Sequence, residues 1–174
     1  MTTLLRAAII SASDRSFRGE RDDQSGPLLR GLLESLPAEI IGCHILPDEK
    51  ETLQSMMTRL ADFFQCDLLL TTGGTGLAPR DVTPEATREI LDREIPGIAE
   101  ALRAAGMPHK PTAMLSRGLA GVRKKTLIIN LPGSPSAVKD SFEILRPVLR
   151  HAVELMKGEV KDCQPLSSSR HSHF

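Results

Sequence analysis

The stretch "DLLLTTGGTGLAPRDVTPEAT", residues 67–87, sets an apolar run directly against a loop rich in glycine and threonine. Leu68, Leu69 and Leu70 are consecutive rather than alternating, the pattern of a strand covered on both faces. A strand of that kind belongs to a largely parallel sheet with helices on either side. The loop after it is poor in side chains and rich in hydroxyls, and it carries Arg80 and Asp81.

Working outward, the same alternation of short apolar runs and helical periods recurs, the signature of an α/β fold. AAIISAS (7–13), EIIGCHIL (39–46) and KTLIINL (125–131) read as further strands, and AMLSR (113–117) as a short one. Helices are expected over 25–36, with Ser25 near its start, over 49–64, from Thr83-Pro84 to about Leu91, over 96–106, and from Ser134-Pro135 onward. Pro147 should break or kink that last helix. Leu53, Met56, Met57, Leu60, Phe63 and Phe64 form an apolar stripe expected in the core.

At 174 residues the chain should form a single domain. We place the domain at residues 1–158, with 159–174 as a disordered tail because periodic apolar residues stop there. Lys plus Arg equal Asp plus Glu at 22 each, so no long-range field draws in nucleic acid or an anionic membrane. There is no Trp or Tyr and only five Phe, which leaves little to stack on unpaired bases. Cys43, Cys66 and Cys163 fit neither a disulfide framework nor paired zinc ligands, and Cys43 and Cys66 read as reduced core residues. His44, inside a strand, reads as a hydrogen-bonded core residue, and His171 and His173 as solvated tail residues. The opening MTTLLRAAII is interrupted by Arg6 and lacks a secretory cleavage pattern. No run reaches the roughly 20 apolar residues of a membrane span, so a soluble cytoplasmic protein is expected.

In open α/β sheets ligands bind at the carboxyl ends of the strands. Four ends here are unusual: SASDRS, PDE at 47–49, TTGGTG, and NLPGSP. Glycines let the backbone approach a ligand, and hydroxyls with successive N–H groups suit phosphate oxygens. The loop lacks the lysine of a Walker A sequence and does not match GxGxxG. A carboxylate beside a phosphate site repels the ligand unless a cation lies between them, which makes Asp81 and Asp48 candidate Mg²⁺ ligands. Taken singly, Asp48 reads as an N-cap and Asp81 as a loop residue. Taken with the four strand ends, the pair points to phosphoryl or nucleotidyl transfer driven by positioning and charge neutralisation.

TTGGTGLAPRDVTPEAT, LSRGLAG (115–121) and LIINLPGSPSAV (127–138), together with ISASDRSFRGERDDQSGP and PDE, resemble the molybdopterin adenylyltransferases of molybdenum cofactor biosynthesis. The resemblance runs from about Ala7 to Gly158. It implies a three-layer α/β/α fold, usually a homotrimer, that binds molybdopterin and ATP with Mg²⁺ and transfers AMP to the terminal phosphate of molybdopterin with loss of pyrophosphate. It implies catalytic and Mg²⁺-holding roles for Asp81 and Asp48. Thr72, Gly73, Gly74, Thr75, Gly76, Ser116, Pro132, Gly133 and Ser134 would hold molybdopterin, and Ser13, Asp14, Arg15 and the segment 23–26, with Ser25 and Gly26, would face the nucleotide. The product would pass to a molybdenum insertase. A non-catalytic molybdopterin carrier of the same family is the alternative.

Overall fold

A computed structural model describes residues 4–159. Its centre is a six-stranded sheet in the order β2-β1-β3-β6-β5-β4. The strands are β1 (Leu5–Ala12), β2 (Ala38–Leu46), β3 (Leu68–Thr72), β4 (Arg93–Glu94), β5 (Ala120–Arg123) and β6 (Thr126–Leu131). β2, β1, β3 and β6 run parallel, whereas β5 pairs antiparallel with β6 and β4 antiparallel with β5. The fully buried runs of β3 and β6 form the centre of the parallel part, as their unbroken apolar sequence requires.

Helices cover both faces. On one, Leu29 and Leu33 of α2 (Ser25–Glu34) pack with Val138, Phe142, Leu145, Leu149 and Val153 of α6 (Pro135–Lys157) against Ala7, Ile9, Leu68, Leu70, Leu127 and Ile129. On the other, Leu53 and Met57 of α3 (Lys50–Thr58) and Ala86 of α4 (Thr83–Arg88) cover Ala8, Ile10, Leu69 and Ile128. Alternate residues of each buried strand therefore feed different layers, which gives the three-layer architecture expected. A single turn, α1 (Asp14–Phe17), follows β1, and α5 (Pro96–Gly106) lies between β4 and β5.

Several expectations are corrected. Residues 113–117 are not a strand: Pro111–Leu115 form a 3₁₀ turn, and the strand starts at Ala120. Pro147 does not end α6, which is continuous from Pro135 to Lys157. The proline lies on the exposed side of the helix, opposite Phe142, Leu145, Leu149 and Val153, all almost fully buried. Burying each such side chain contributes about 1.5–3 kcal/mol, so together they outweigh the ~3 kcal/mol of an interior proline. The apolar stripe of α3 also stops short. Arg59–Phe63 wind as a π turn, whose extra residue rotates the following side chains off the core face, leaving Phe63 76% and Phe64 39% exposed.

Cys43 is exposed on edge strand β2 rather than in the core, while Cys66 is buried and its thiol is pushed up to about 11 by that burial. His44 is half-buried on β2, not deep in the core, and its imidazole is held below the usual value by burial and by Arg59. Cys163, His171, His173 and the tail expected from residue 159 lie, apart from Glu159, outside the described residues. Among the described residues no helix is long and apolar enough to cross a membrane.

Candidate functional site

The carboxyl ends of β3 and β6 open into a cavity of about 960 Å³, walled by α5 and α6 and floored by Gly73–Gly76, Asn130 and Pro132–Ser134. The loop leaves β3 through two left-handed residues, Gly73 (φ 92°) and Gly74 (φ 63°). A Cβ on Gly73 would stand 2.3 Å from the carbonyl oxygen of Ala12, and one on Gly74 would stand 2.3 Å from Thr83 Oγ1. Only glycine permits both the dihedrals and the close approach. The loop is tied in place by Gly73 N–H donating to Leu131 O (3.3 Å) and Thr83 N–H donating to Gly74 O (3.1 Å). Gly74, Thr75 and Gly76 line the cavity, and their N–H groups have no acceptor among the described residues, which leaves them as donors for a bound anion.

Both candidate carboxylates flank this loop. Asp81 lines the cavity, and its Oδ2 accepts from Ala78 N–H at 2.9 Å. Asp48 approaches from beneath: its Oδ1 is 2.9 Å from where a Gly74 Cβ would be. Asp48 is not a helix cap. Glu49 occupies the N-cap of α3, and Asp48 instead exchanges two bonds with Asp14, Oδ2 accepting from Asp14 N–H (2.9 Å) and its own N–H donating to Asp14 Oδ1 (3.0 Å). Asp48 Oδ1 is buried without a partner, as is Thr83 Oγ1. Burial pushes the Asp48 carboxyl above its ordinary value; the negative charges of Asp14 and Asp81 add to this, and the Asp14 N–H works against it. A pair of carboxylates, one with an oxygen left unpartnered beside a loop of free N–H donors, is a donor set that fits Mg²⁺ shared with a phosphate.

The remaining expected residues divide into two groups. Gly73, Gly74, Thr75, Gly76, Ser116, Pro132, Gly133 and Ser134 all line the cavity. Thr72 does not; it is buried below, and its hydroxyl donates to Pro132 O at 2.7 Å, joining the two loops. Ser134 caps α6 through its carbonyl, with no bond from its hydroxyl to the helix. Thr83 is the first residue of α4 rather than its cap, which explains why its hydroxyl is free of capping duty.

Ser13, Asp14 and Arg15 gather beside Asp48 but outside that cavity. Ser13 Oγ caps α1 by accepting from Ser16 N–H (3.2 Å), and Arg15 is exposed. Arg80 closes on Asp14 with two bonds of 2.9 Å, which hold the Asp14 carboxyl below its ordinary range. Ser25 and Gly26 are buried behind the PGSP turn. Ser25 donates to Gly133 O (2.8 Å), and Asp23 Oδ1 takes the N–H groups of both at the start of α2.

Sequence reading missed Asn130. Its Nδ2 donates to Thr71 (3.0 Å) and Thr87 (2.9 Å), and its Oδ1 accepts from Leu119 N–H (3.3 Å), so it locks β6 to β3, α4 and the chain entering β5. The signal was a single amide at the end of the apolar run LIINL. It also missed the wall formed by Arg103, His109 and Lys110, which no spacing marks.

Comparison with known proteins gives the family. Residues 8–151 match the family model of the probable molybdopterin binding domain. The molybdopterin adenylyltransferase of Helicobacter pylori strain J99 is 38% identical over 156 residues, covering 88% of this chain and 89% of that protein. That of Haemophilus influenzae is 43% identical over 145 residues, covering 82% and 74%. The crystal structure of the molybdopterin biosynthesis enzyme MoaB from Thermus thermophilus superposes with a TM-score of 0.85 at 50% identity, covering 89% of this chain and 98% of that one. The glycine loop, the strand-end carboxylates and the PGSP turn thus sit in a chain that belongs to the molybdopterin-binding domain family of molybdenum cofactor biosynthesis.

Proposed function

We propose that the protein is a molybdopterin adenylyltransferase. An oxygen of the terminal phosphate of molybdopterin forms a bond to the α-phosphorus of ATP, the bond to the bridging oxygen on the β-phosphate breaks, and pyrophosphate leaves. The observation that carries the reading is the meeting of Asp48 and Asp81 on one glycine loop, with Asp48 Oδ1 buried and unpartnered. Relatives named for this activity cover nearly the whole chain and support it.

The chain's own residues act mainly by placement. The N–H groups of Gly74, Thr75 and Gly76 would orient the terminal phosphate, while Ser116, Pro132, Gly133 and Ser134 line the space for the pterin. Ser13, Asp14 and Arg15, beside Asp48, would face the nucleotide, with Ser25 and Gly26 behind the PGSP turn supporting that side. Asp81 and Asp48 would hold Mg²⁺, which when bound neutralises charge between two polyanions. Positioning of both reactants then lowers the barrier without a protein nucleophile. The reading extends to a cytoplasmic homotrimer that passes its product to a molybdenum insertase. Exposed Leu77, Met114 and Leu115 offer apolar surface to a neighbouring subunit.

The test mixes the purified protein with molybdopterin, ATP and Mg²⁺ and weighs the pterin by mass spectrometry. Adenylylated molybdopterin supports the reading. Binding of molybdopterin without turnover under those conditions would replace it with the carrier function.

A further inference from the structure

Arg117 lies outside the site cavity, yet it touches the site's loop at three points and Glu85 of α4 at a fourth. Its N–H donates to Thr75 O (2.9 Å), Nε to Gly76 O (2.7 Å) and Nη2 to Asp81 O (2.6 Å), while Nη1 pairs with Glu85. Gly76 and Asp81 are the two ends of the loop tip, and Leu77–Arg80 between them are exposed. An ordinary surface ion pair would satisfy Glu85 alone. Here most of the bonds go to main-chain carbonyls, which is the work of a splint rather than of a charge.

Arg80 ties the tip to Asp14 through its side chain (2.9 Å), but among the described residues no other group bonds the Asp81 carbonyl. The segment's own bonds, Asp81 N–H to Ala78 O (2.9 Å) and Ala78 N–H to Asp81 Oδ2 (2.9 Å), are internal to the tip and cannot fix it against the sheet. Arg117 does so because it follows the 3₁₀ turn Pro111–Leu115 into the strand-paired segment that begins at Ala120. We propose that Arg117 is a positioning residue for adenylyl transfer: it clamps Gly76 to Asp81 and so sets the Asp81 carboxylate against the cavity. This rests on the function proposed above. A lysine could not replace it, since one ammonium cannot span carbonyls at both ends of the tip together with Glu85. Arg117 also lines a second cavity of about 360 Å³ together with Glu85, Arg103 and Gly118.

Two measurements test this on Arg117→Ala and Arg117→Lys. In the protein alone, amide hydrogen exchange at Ala78 and Asp81 should rise about tenfold in either variant, with β1, β3 and β6 amides unchanged. In the adenylylation assay, turnover should fall about a hundredfold, the scale of a misplaced catalytic group, with a higher Mg²⁺ requirement and partial recovery of Arg117→Ala by added guanidinium. Should Arg117→Ala fail to fold, Arg117→Lys carries both measurements. Unchanged exchange at the loop tip, or turnover within threefold of the wild type, overturns the proposal. A wild-type protein that makes no adenylylated pterin refutes the function instead, and the exchange measurement still decides the clamp.

Discussion

Asp48→Asn should make the protein more stable and inactive at once. In the folded chain Asp48 Oδ1 is buried without a partner and Asp14 and Asp81 add negative charge around it. An unsatisfied buried acceptor costs about 1–3 kcal/mol, and more when charged. The amide removes the charge and keeps an oxygen to accept from Asp14 N–H, now at 2.9 Å from Oδ2. A gain of about 1–2 kcal/mol is expected, typical of relieving a strained functional site. For a domain of this size that raises Tm by roughly 2–8 °C. The sign with pH follows from the raised carboxyl: the folded state holds its proton more tightly than the unfolded state, so ionisation costs stability as pH rises through the carboxyl range. The two proteins should therefore melt together near pH 4 and diverge towards pH 7.5 with the variant ahead. Thermal melts across that range give the answer, alongside the adenylylation assay. A variant that melts at or below the wild type at pH 7.5 would refute the account of Asp48.

Other outcomes follow from the same geometry. Asp81→Asn keeps the oxygen that accepts from Ala78 N–H, so circular dichroism and Tm should match the wild type while pyrophosphate release is lost. Gly73→Ala places a Cβ 2.3 Å from Ala12 O at φ 92°, and left-handed strain with overpacking should cost about 2–5 kcal/mol, read as a lower urea midpoint. Asn130→Ala strips partners from Thr71, Thr87 and Leu119 N–H inside the core and should cost about 2–4 kcal/mol by the same measurement.

The parallel half of the fold was legible because β1, β3 and β6 are continuous apolar runs whose burial on both faces needs no partner information. The antiparallel half was not. β4 is two residues long, and β5 reads as AGVR, where Gly121 is needed because a Cβ would stand 2.4 Å from Leu91 Cδ1 and 2.5 Å from Arg93 O. That is a tertiary constraint no local pattern reveals. The helical period misled at Phe63 and Phe64 because a π turn adds a residue within the stripe, and at Pro147 because packing on the opposite face keeps the helix whole. In the site, the loop and both carboxylates were readable from residue type and strand-end position. Asn130 and Arg117 were not, since they act through hydrogen bonds that join distant parts of the chain.

The most direct measurement follows the label from ATP. With α-labelled ATP, molybdopterin and Mg²⁺, the wild-type protein should place the label on the pterin, while γ-labelled ATP should deliver its label to pyrophosphate, and Asp81→Asn should do neither. Label released as free AMP, or molybdopterin bound but left unlabelled, would contradict adenylyl transfer as the function of this site.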